Sequence, residues 1–356
     1  MSQSDTTTRF GRITPPNMAW LARAPEEPVL DPELAIVDTH HHLWDHAARY
    51  RYLLPEFLED VATGHNVTET VFVQCHAMYR ADGPEELRPV GETEFVAGIA
   101  AMSASGLYGE TRVAAGIVGF ADLTLGDRLD AVLEAHIHAG GGRFRGVRHS
   151  GAWDADPIIG NGAKGSGLYA SPAFSDGLGR LTAHGLSLDA WVFHTQLGEV
   201  LNLARAHPDA NIVLCHCGGP LGYGPYGGKQ DEVRAQWLAS ITKIAACPNV
   251  SVKLGGMMMR LAAYDYGALP APPSSTELAD YWRPYIEPCI ELFGPERCMV
   301  ESNFPVEKMG IGYSALWNAF KRIAAGASPA EKKAIFSGTA RRVYRLAPSA
   351  ECNQSG

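Results

Sequence analysis

No stretch of this sequence approaches the roughly 18 uninterrupted apolar residues that a membrane-spanning helix needs, and the N-terminal MSQSDTTTRFGRITPPNMAW has no apolar core of signal-peptide length. Both absences lead us to expect a cytoplasmic protein without a membrane partner. A dense basic run is missing too. Thirty Lys and Arg stand against 39 Asp and Glu, for a net charge of −9, so a nucleic-acid surface lacks its electrostatic footprint. Cysteine is scarce and odd in number, seven in 356 residues without framework spacing, and disulfides are not expected. What remains is an ordinary globular composition, 46% hydrophobic and 19% charged, at a length that suits one α/β barrel with insertions.

Residues 1–33 are Pro-rich and aperiodic and read as an N-terminal arm; residues 34–346 carry the patterned domain, and 347–356 form a C-terminal tail. Within the domain, short Val- and Ile-rich runs alternate with longer amphipathic stretches, the rhythm of repeated βα units and a parallel sheet. The strand runs are 34–40, 70–75, 112–120, 144–149, 186–193, 211–216, 250–254 and 298–302. Eight strands are the number that closes a small barrel, although an open doubly wound sheet accommodates the same list. Helical stretches lie at 92–104, 127–139, 173–184, 197–207, 231–246, 275–293 and 315–325, followed by 329–337 and 339–346. Two Gly-, Pro- and aromatic-rich segments, 150–172 and 218–230, follow the fourth and sixth strands. In a barrel these would be pocket walls; otherwise they are surface insertions.

The strongest local signal is Asp38-Thr39-His40-His41-His42-Leu43-Trp44-Asp45. Strand alternation puts Asp38, His40 and His42 on one face and His41 on the other. Two imidazoles spaced that way converge on one metal ion or one substrate oxygen. Further polar groups end other strands: Arg148-His149, His194 and His216. The Cys215-His216-Cys217 run resembles a metal knuckle, but alternation would turn His216 away from both thiols.

The His40-x-His42 pair, the histidines ending strands five and six, and the polar turn after strand eight resemble the amidohydrolase superfamily. DTHHHLWD, GVRHSGAW, LCHCGGP and ESNFPVEK are similar to its lactonase-containing branch, which includes sugar lactonases and 2-pyrone-4,6-dicarboxylate lactonase. The likeness runs from about residue 34 to Leu346 and includes the closing GTARRVYRL. It implies a (β/α)8 TIM-like barrel with an N-terminal extension and long loops after strands 4 and 6. It also implies hydrolysis of a cyclic ester or amide, with water activated by a metal, by an acidic residue after strand eight, or by both.

Its site residues map onto His40, His42, His194 and His216. Strand eight departs: where relatives carry Gly-Ser-Asp, this chain reads Glu301-Ser302-Asn303. An Asn orients water but does not take its proton, so Glu301, two residues earlier, is the substitute for base or ligand. The alternative for Glu301 is a buried partner of a barrel cation such as Lys253. One divalent ion, zinc for an imidazole-rich set, would take His40, His42 and His216; branch members that hold the carbonyl with His and Arg make a metal-free site the alternative.

These residues lead us to expect a hydrolase that opens the lactone of a small polar or anionic substrate. A metal-dependent decarboxylase or C–C lyase of an aromatic or enol acid is the second expectation, and a non-catalytic binding barrel the third. Arg148 is the expected carboxylate or carbonyl contact, with His149, Trp153 and Tyr223 lining the substrate. A small molecule is the expected partner, and a homo-oligomer is compatible with the sequence.

Overall fold

A computed structural model describes residues 15–45, 50–257 and 269–346. The expected C-terminal tail and the first part of the arm lie outside the described residues. The apolar runs form β1 (Ile36–His41), β2 (Val67–Val73), β3 (Arg112–Gly119), β4 (Phe144–Val147), β5 (Ser187–Ala190), β6 (Asn211–Leu214), β7 (Val250–Leu254) and β8 (Cys298–Val300). All neighbours pair in parallel in the order β1 to β8. The ring is drawn shut where β1 meets the segment after β8. Asn303 N–H donates to His40 O and His42 N–H to Phe304 O, both at 2.7 Å, and the Thr39 hydroxyl donates to Val300 O at 2.8 Å. Of the two architectures the strand count allows, the chain adopts the (β/α)8 barrel.

Helices cover the outside: α1 (Met18–Leu21), α2 (Leu54–Val61), α3 (Val90–Ala104), α4 (Leu129–Ala139), α5 (Pro172–Ala183), α6 (Leu197–Ala206), α7 (Gln230–Ala245), α8 (Ser275–Phe293), α9 (Tyr313–Ile323), α10 (Pro329–Lys333) and α11 (Thr339–Val343). Serines start three of them: Ser171, Ser274 and Ser328 each accept the backbone N–H three residues on, the last two with a Glu reaching back. The sequence reading has no helix where α2 lies. It is a short one whose Leu54, Phe57 and Val61 bury one face, too brief for a periodic signal. Among the described residues no helix is long and apolar enough to cross a membrane.

The described part of the arm runs along α8 and α9. Asn318 bonds Pro28 O and Leu30 N–H, Lys321 caps Leu30 O and Asp31 O, and Ser275 donates to Glu27. The two long loops are tied to each other, Tyr223 OH donating to Ile159 O at 2.6 Å and Tyr226 OH to Asp154 Oδ2 at 2.7 Å. Beneath them Ala152, Ile159, Trp191, Phe193, Cys215 and Leu221 form their own apolar cluster.

Inside the barrel, Val37, Val71, Val73, Val118, Val213 and Met299 pack against the closing Val343, Tyr344 and Leu346. One ion pair is sealed there: Lys253 Nζ lies 2.8 Å from Asp189 Oδ2 and donates to Thr39 O, and Tyr344 OH donates to the same Asp189 oxygen. Burial pulls Lys253 down, but Asp189 and neighbouring acids outweigh it and hold the amine above the ordinary lysine range. Removing one partner leaves a charge without water or counter-ion. Asp189→Ala should therefore destabilise the chain by about 3–5 kcal/mol, and Asp189→Ala with Lys253→Met by clearly less. Urea denaturation checks this; equal losses in the two variants would count against it.

Candidate active site

Strand β1 separates its three histidines as alternation requires, but its register against β2 shifts between Asp38 and His41, so Asp38 does not keep their parity. His41 points outward, its ring 4.3 Å from that of Phe57 and its Nε2 2.8 Å from Thr70 Oγ1. Asp38, expected on the face of His40 and His42, instead lies on the side of His41, against Tyr313 of α9, whose ring packs on Phe57, and it clasps β1 to the β8 turn, accepting from Ser302 N–H, Ser302 Oγ and Tyr313 OH at 2.8, 2.6 and 3.0 Å. Burial raises its pKa to about 6 against those bonds.

His40, His42 and His216 gather on the inner face. Ring centroids of His40 and His42 are 4.9 Å apart, and those of His40 and His216 are stacked at 4.7 Å. Glu301, fully buried, stands behind two of them: Oε1 lies 2.5 Å from His216 Nδ1, and Oε2 lies 2.8 Å from His40 Nδ1, close but not aligned as a straight hydrogen bond. On the far side of His40, Arg148 Nη1 donates to Nε2 at 3.1 Å, while Nη2 is anchored by Gln74 O and Oε1. Guanidinium only donates, so His40 Nε2 carries its lone pair and Nδ1 its proton, the arrangement that suits Glu301. His42 is fixed likewise: Nδ1 donates to Val73 O at 2.7 Å and Nε2 lies 3.3 Å from Asn303 Oδ1. Burial first, then the surrounding charge, holds His40 and His42 well below the ordinary imidazole value, so both rings are neutral.

Backbone geometry sets the cluster as much as side-chain type does. Strand β6 stops at Leu214, and His216 turns its ring inward from a left-handed conformation, φ +52°. Asn303 shares that conformation at φ +53°. Such residues gather at functional sites because they are held against local preference. Gly255 and Gly256, just past β7, make room. A Cβ on Gly255 would meet Glu301 Cγ at 2.5 Å, and one on Gly256, φ +67°, would meet His216 Nδ1 at 2.2 Å. Neither glycine is legible as a site residue from local pattern, since what it accommodates is far off in sequence. Gly256→Ala should push the His216 ring off Glu301 and lower turnover by about 10²-fold, the scale of an ångström's misplacement. Steady-state kinetics on the folded variant checks it, and parental turnover would contradict it.

The remaining expected residues stand around this group. His194, at the rim, accepts Leu221 N–H on Nδ1 at 3.4 Å, packs against Tyr226, and has its buried Nε2 without a hydrogen-bond partner among the described residues. Trp153 and Tyr223 lie half-buried on the two tied loops. His149 turns toward the loop after β3, its Nδ1 accepting Leu123 N–H at 3.2 Å and lying 3.8 Å from Asp122. Among the described residues, one group of donors suits a divalent cation: ligand atoms of His40, His216 and Glu301 all lie within 4.8 Å of one another.

Residues 37–346 match the family profile described as Amidohydrolase. An uncharacterised protein of Sinorhizobium fredii is 31% identical over 340 residues, covering 88% of this chain and 99% of its own. The L-fucono-1,5-lactonase of Burkholderia multivorans is 27% identical over 332 residues, covering 88% of this chain and 97% of its own. Among solved structures, an amidohydrolase from Burkholderia multivorans with bound zinc is similar at a TM-score of 0.68 and 25% identity, covering 88% of this chain and 100% of that one.

Proposed function

This chain belongs to the amidohydrolase family and is an enzyme of the hydrolase type, and from that premise we propose that it opens a lactone of a small polar or anionic molecule, of the sugar-acid class, by adding water. The observation that carries the reading is Arg148, held by Gln74 against His40 Nε2 amid neutral imidazoles. A guanidinium beside uncharged nitrogen acceptors is what an ester carbonyl and a water molecule need from a site. The similarity to a lactonase along 88% of the chain supports the choice of ester.

In this reading the lactone carbonyl oxygen faces Arg148, which takes up the charge that develops there. Water adds to the carbonyl carbon and gives a proton to His42 Nε2; the carbonyl π pair moves onto its oxygen. Return of that pair breaks the bond to the ring oxygen, which receives the proton, and a hydroxy acid leaves. Glu301 has both oxygens on ring nitrogens, so it acts through His40 and His216 rather than on water directly. His194 Nε2 is the donor for a substrate hydroxyl, with Trp153 and Tyr223 as the wall, and His149 holds the loop beside Arg148.

The donors also fit a divalent ion. His40 Nδ1 and Glu301 Oε2 are buried atoms without a directed hydrogen bond, and two imidazoles with a carboxylate are zinc-type ligands. His40, His216 and Glu301 would hold it, with His40 giving up its Nδ1 proton, and it would supply Lewis-acid polarisation. Elemental analysis of the purified protein and of Glu301→Gln tests this: metal in the parent and none in the variant supports the assignment.

The function is tested by following acid release across five- and six-membered aldonolactones, beside carbon dioxide release from aromatic and enol carboxylates. Acid release is the expected result. Carbon dioxide alone would replace hydrolysis by decarboxylation, and binding without turnover would leave a binding barrel.

A further inference from the structure

Arg148 is steadied by one peptide unit. Its Nη2 donates to Gln74 O, and the N–H of the same unit, that of Cys75, donates to Glu92 Oε1 at 2.9 Å. A trans peptide is planar and sends its N–H and C=O in opposite directions, so holding the N–H on one side aims the carbonyl on the other. Glu92 takes a second N–H on the same oxygen, that of Ala77 at 2.8 Å. Strand β2 ends at Val73, and Gln74 N–H still reaches Val118 O of β3 at 2.8 Å. Beyond it the chain leaves the sheet through left-handed His76 and Met78, φ +62° and +53°, a shape held against local preference. Glu92, 1% exposed and third in α3, is the acceptor that takes over from the sheet. Its backbone is fixed there, because the first turn of α3 lies hard against this loop: a Cβ on Gly91 would meet Met78 O at 2.5 Å and Arg80 N at 2.8 Å.

We propose that Glu92 is a positioning residue of the active site, gripping the Gln74–Cys75 peptide so that Gln74 O holds the Arg148 guanidinium in place. Arg148 Nη1 then stands 3.1 Å from His40 Nε2. There the arginine faces the carbonyl oxygen, a part in turnover that rests on the lactone reading above. Gln74 Oε1 gives the guanidinium a second hold at 3.2 Å, but a side-chain amide swings about its own torsions. The main-chain carbonyl turns only with its peptide, and Glu92 stops that turn. Burial raises Glu92 to about 7, yet the grip does not depend on its charge, because a carboxyl oxygen accepts N–H bonds in either protonation state.

Removing the acceptor in Glu92→Ala should lower kcat by about 10²-fold with KM changed little, the scale of an ångström's misplacement in a group that acts on the transition state. Arg148→Met should lose at least as much. Glu92→Ala added to Arg148→Met should then cost no more than about 3-fold further, because the carboxyl acts only through the arginine. A merely structural Glu92 predicts losses that multiply. Two conservative changes separate reach from charge. Glu92→Gln keeps the length and one oxygen and should hold kcat within about 10-fold of the parent, whereas Glu92→Asp keeps the acid one methylene short and should be slower than Glu92→Gln. Parental kcat in Glu92→Ala, multiplied losses in the double variant, or Glu92→Gln no faster than Glu92→Asp would overturn the proposal. Should Glu92→Ala not fold, the order of Glu92→Gln and Glu92→Asp decides. Should the parent hydrolyse no lactone, the functional reading fails separately, and hydrogen exchange at the Cys75 and Ala77 amides decides the grip. Faster exchange in Glu92→Asp than in Glu92→Gln and the parent supports it; any other order overturns it.

Discussion

Glu301→Gln should lower turnover by about 10³-fold while leaving the melting temperature near that of the parent, because the change removes a second acceptor without changing shape. Both carboxylate oxygens meet imidazole Nδ1 atoms, those of His40 and His216. A glutamine offers one oxygen and one NH2. Whichever ring meets the NH2 must move its proton to Nε2. If that ring is His40, the new N–H meets Arg148 Nη1, donor against donor. If it is His216, the nitrogen facing the pocket loses its lone pair. In either case an imidazole presents the wrong tautomer, an error worth on the order of 10⁴ in turnover where a hydrolase depends on it. KM should change little, since Glu301 reaches the substrate only through the rings. Asn303→Ala should cost less, about 10–100-fold, the loss of one hydrogen bond. Kinetics on protein of determined metal content separates a misplaced proton from a lost ion. Full activity in Glu301→Gln would move the proton chemistry away from this carboxylate.

Much of this geometry follows from rules that a sequence displays. Period-two alternation in DTHHHLWD separates His41 from His40 and His42, and the structure turns His41 onto Phe57 as that parity requires. The same rule stops working at His216. The strand ends at Leu214, and the ring reaches the cluster through a left-handed turn, which alternation does not describe. Partners across the barrel are also invisible to local pattern. Glu301 alone leaves Lys253 and the imidazoles equally open. Register decides: Lys253 pairs with Met299 and sends its amine to Asp189, which leaves Glu301 to the histidines. Arg148 and His40 are 108 positions apart, and Gly256 matters only because His216 occupies the space a Cβ would need. The fold was legible because each βα unit carries its own signal. The hydrogen bonds that fix protons were not, because each is made between units.

Lowering the pH from 7 to 5 should destabilise the folded chain steeply, for the same reason that its site has neutral acceptors. Burial holds His41 at about 3 and His65, His136, His149 and His194 at about 4, with His40 and His42 well below the ordinary value. In the unfolded chain each would titrate near 6.5. As pH falls through 6.5 the unfolded state takes up protons that the folded state refuses, so the stability from these rings is full above 6.5 and is lost toward their folded values. Four carboxyls, Asp38, Glu92, Asp60 and Glu199, are raised by burial and oppose the trend. Asp38 is raised to about 6 and Glu92 to about 7, so near pH 5 the folded state keeps at least these two protons that the unfolded state has released. Seven rings against four carboxyls still leave a net uptake on unfolding. Even two net protons amount to about 3 kcal/mol per pH unit, a large share of the 5–15 kcal/mol that holds a domain together. The melting temperature should fall by on the order of 10 °C between pH 7 and 5. His41→Asn, which removes one such ring outside the pocket, should make the slope shallower by about 1.4 kcal/mol per unit with only a mild loss of turnover. A melting temperature that stays flat across that range would mean that the buried rings are charged or solvated when folded, and the assignment of His42 as a neutral proton acceptor would fall with it.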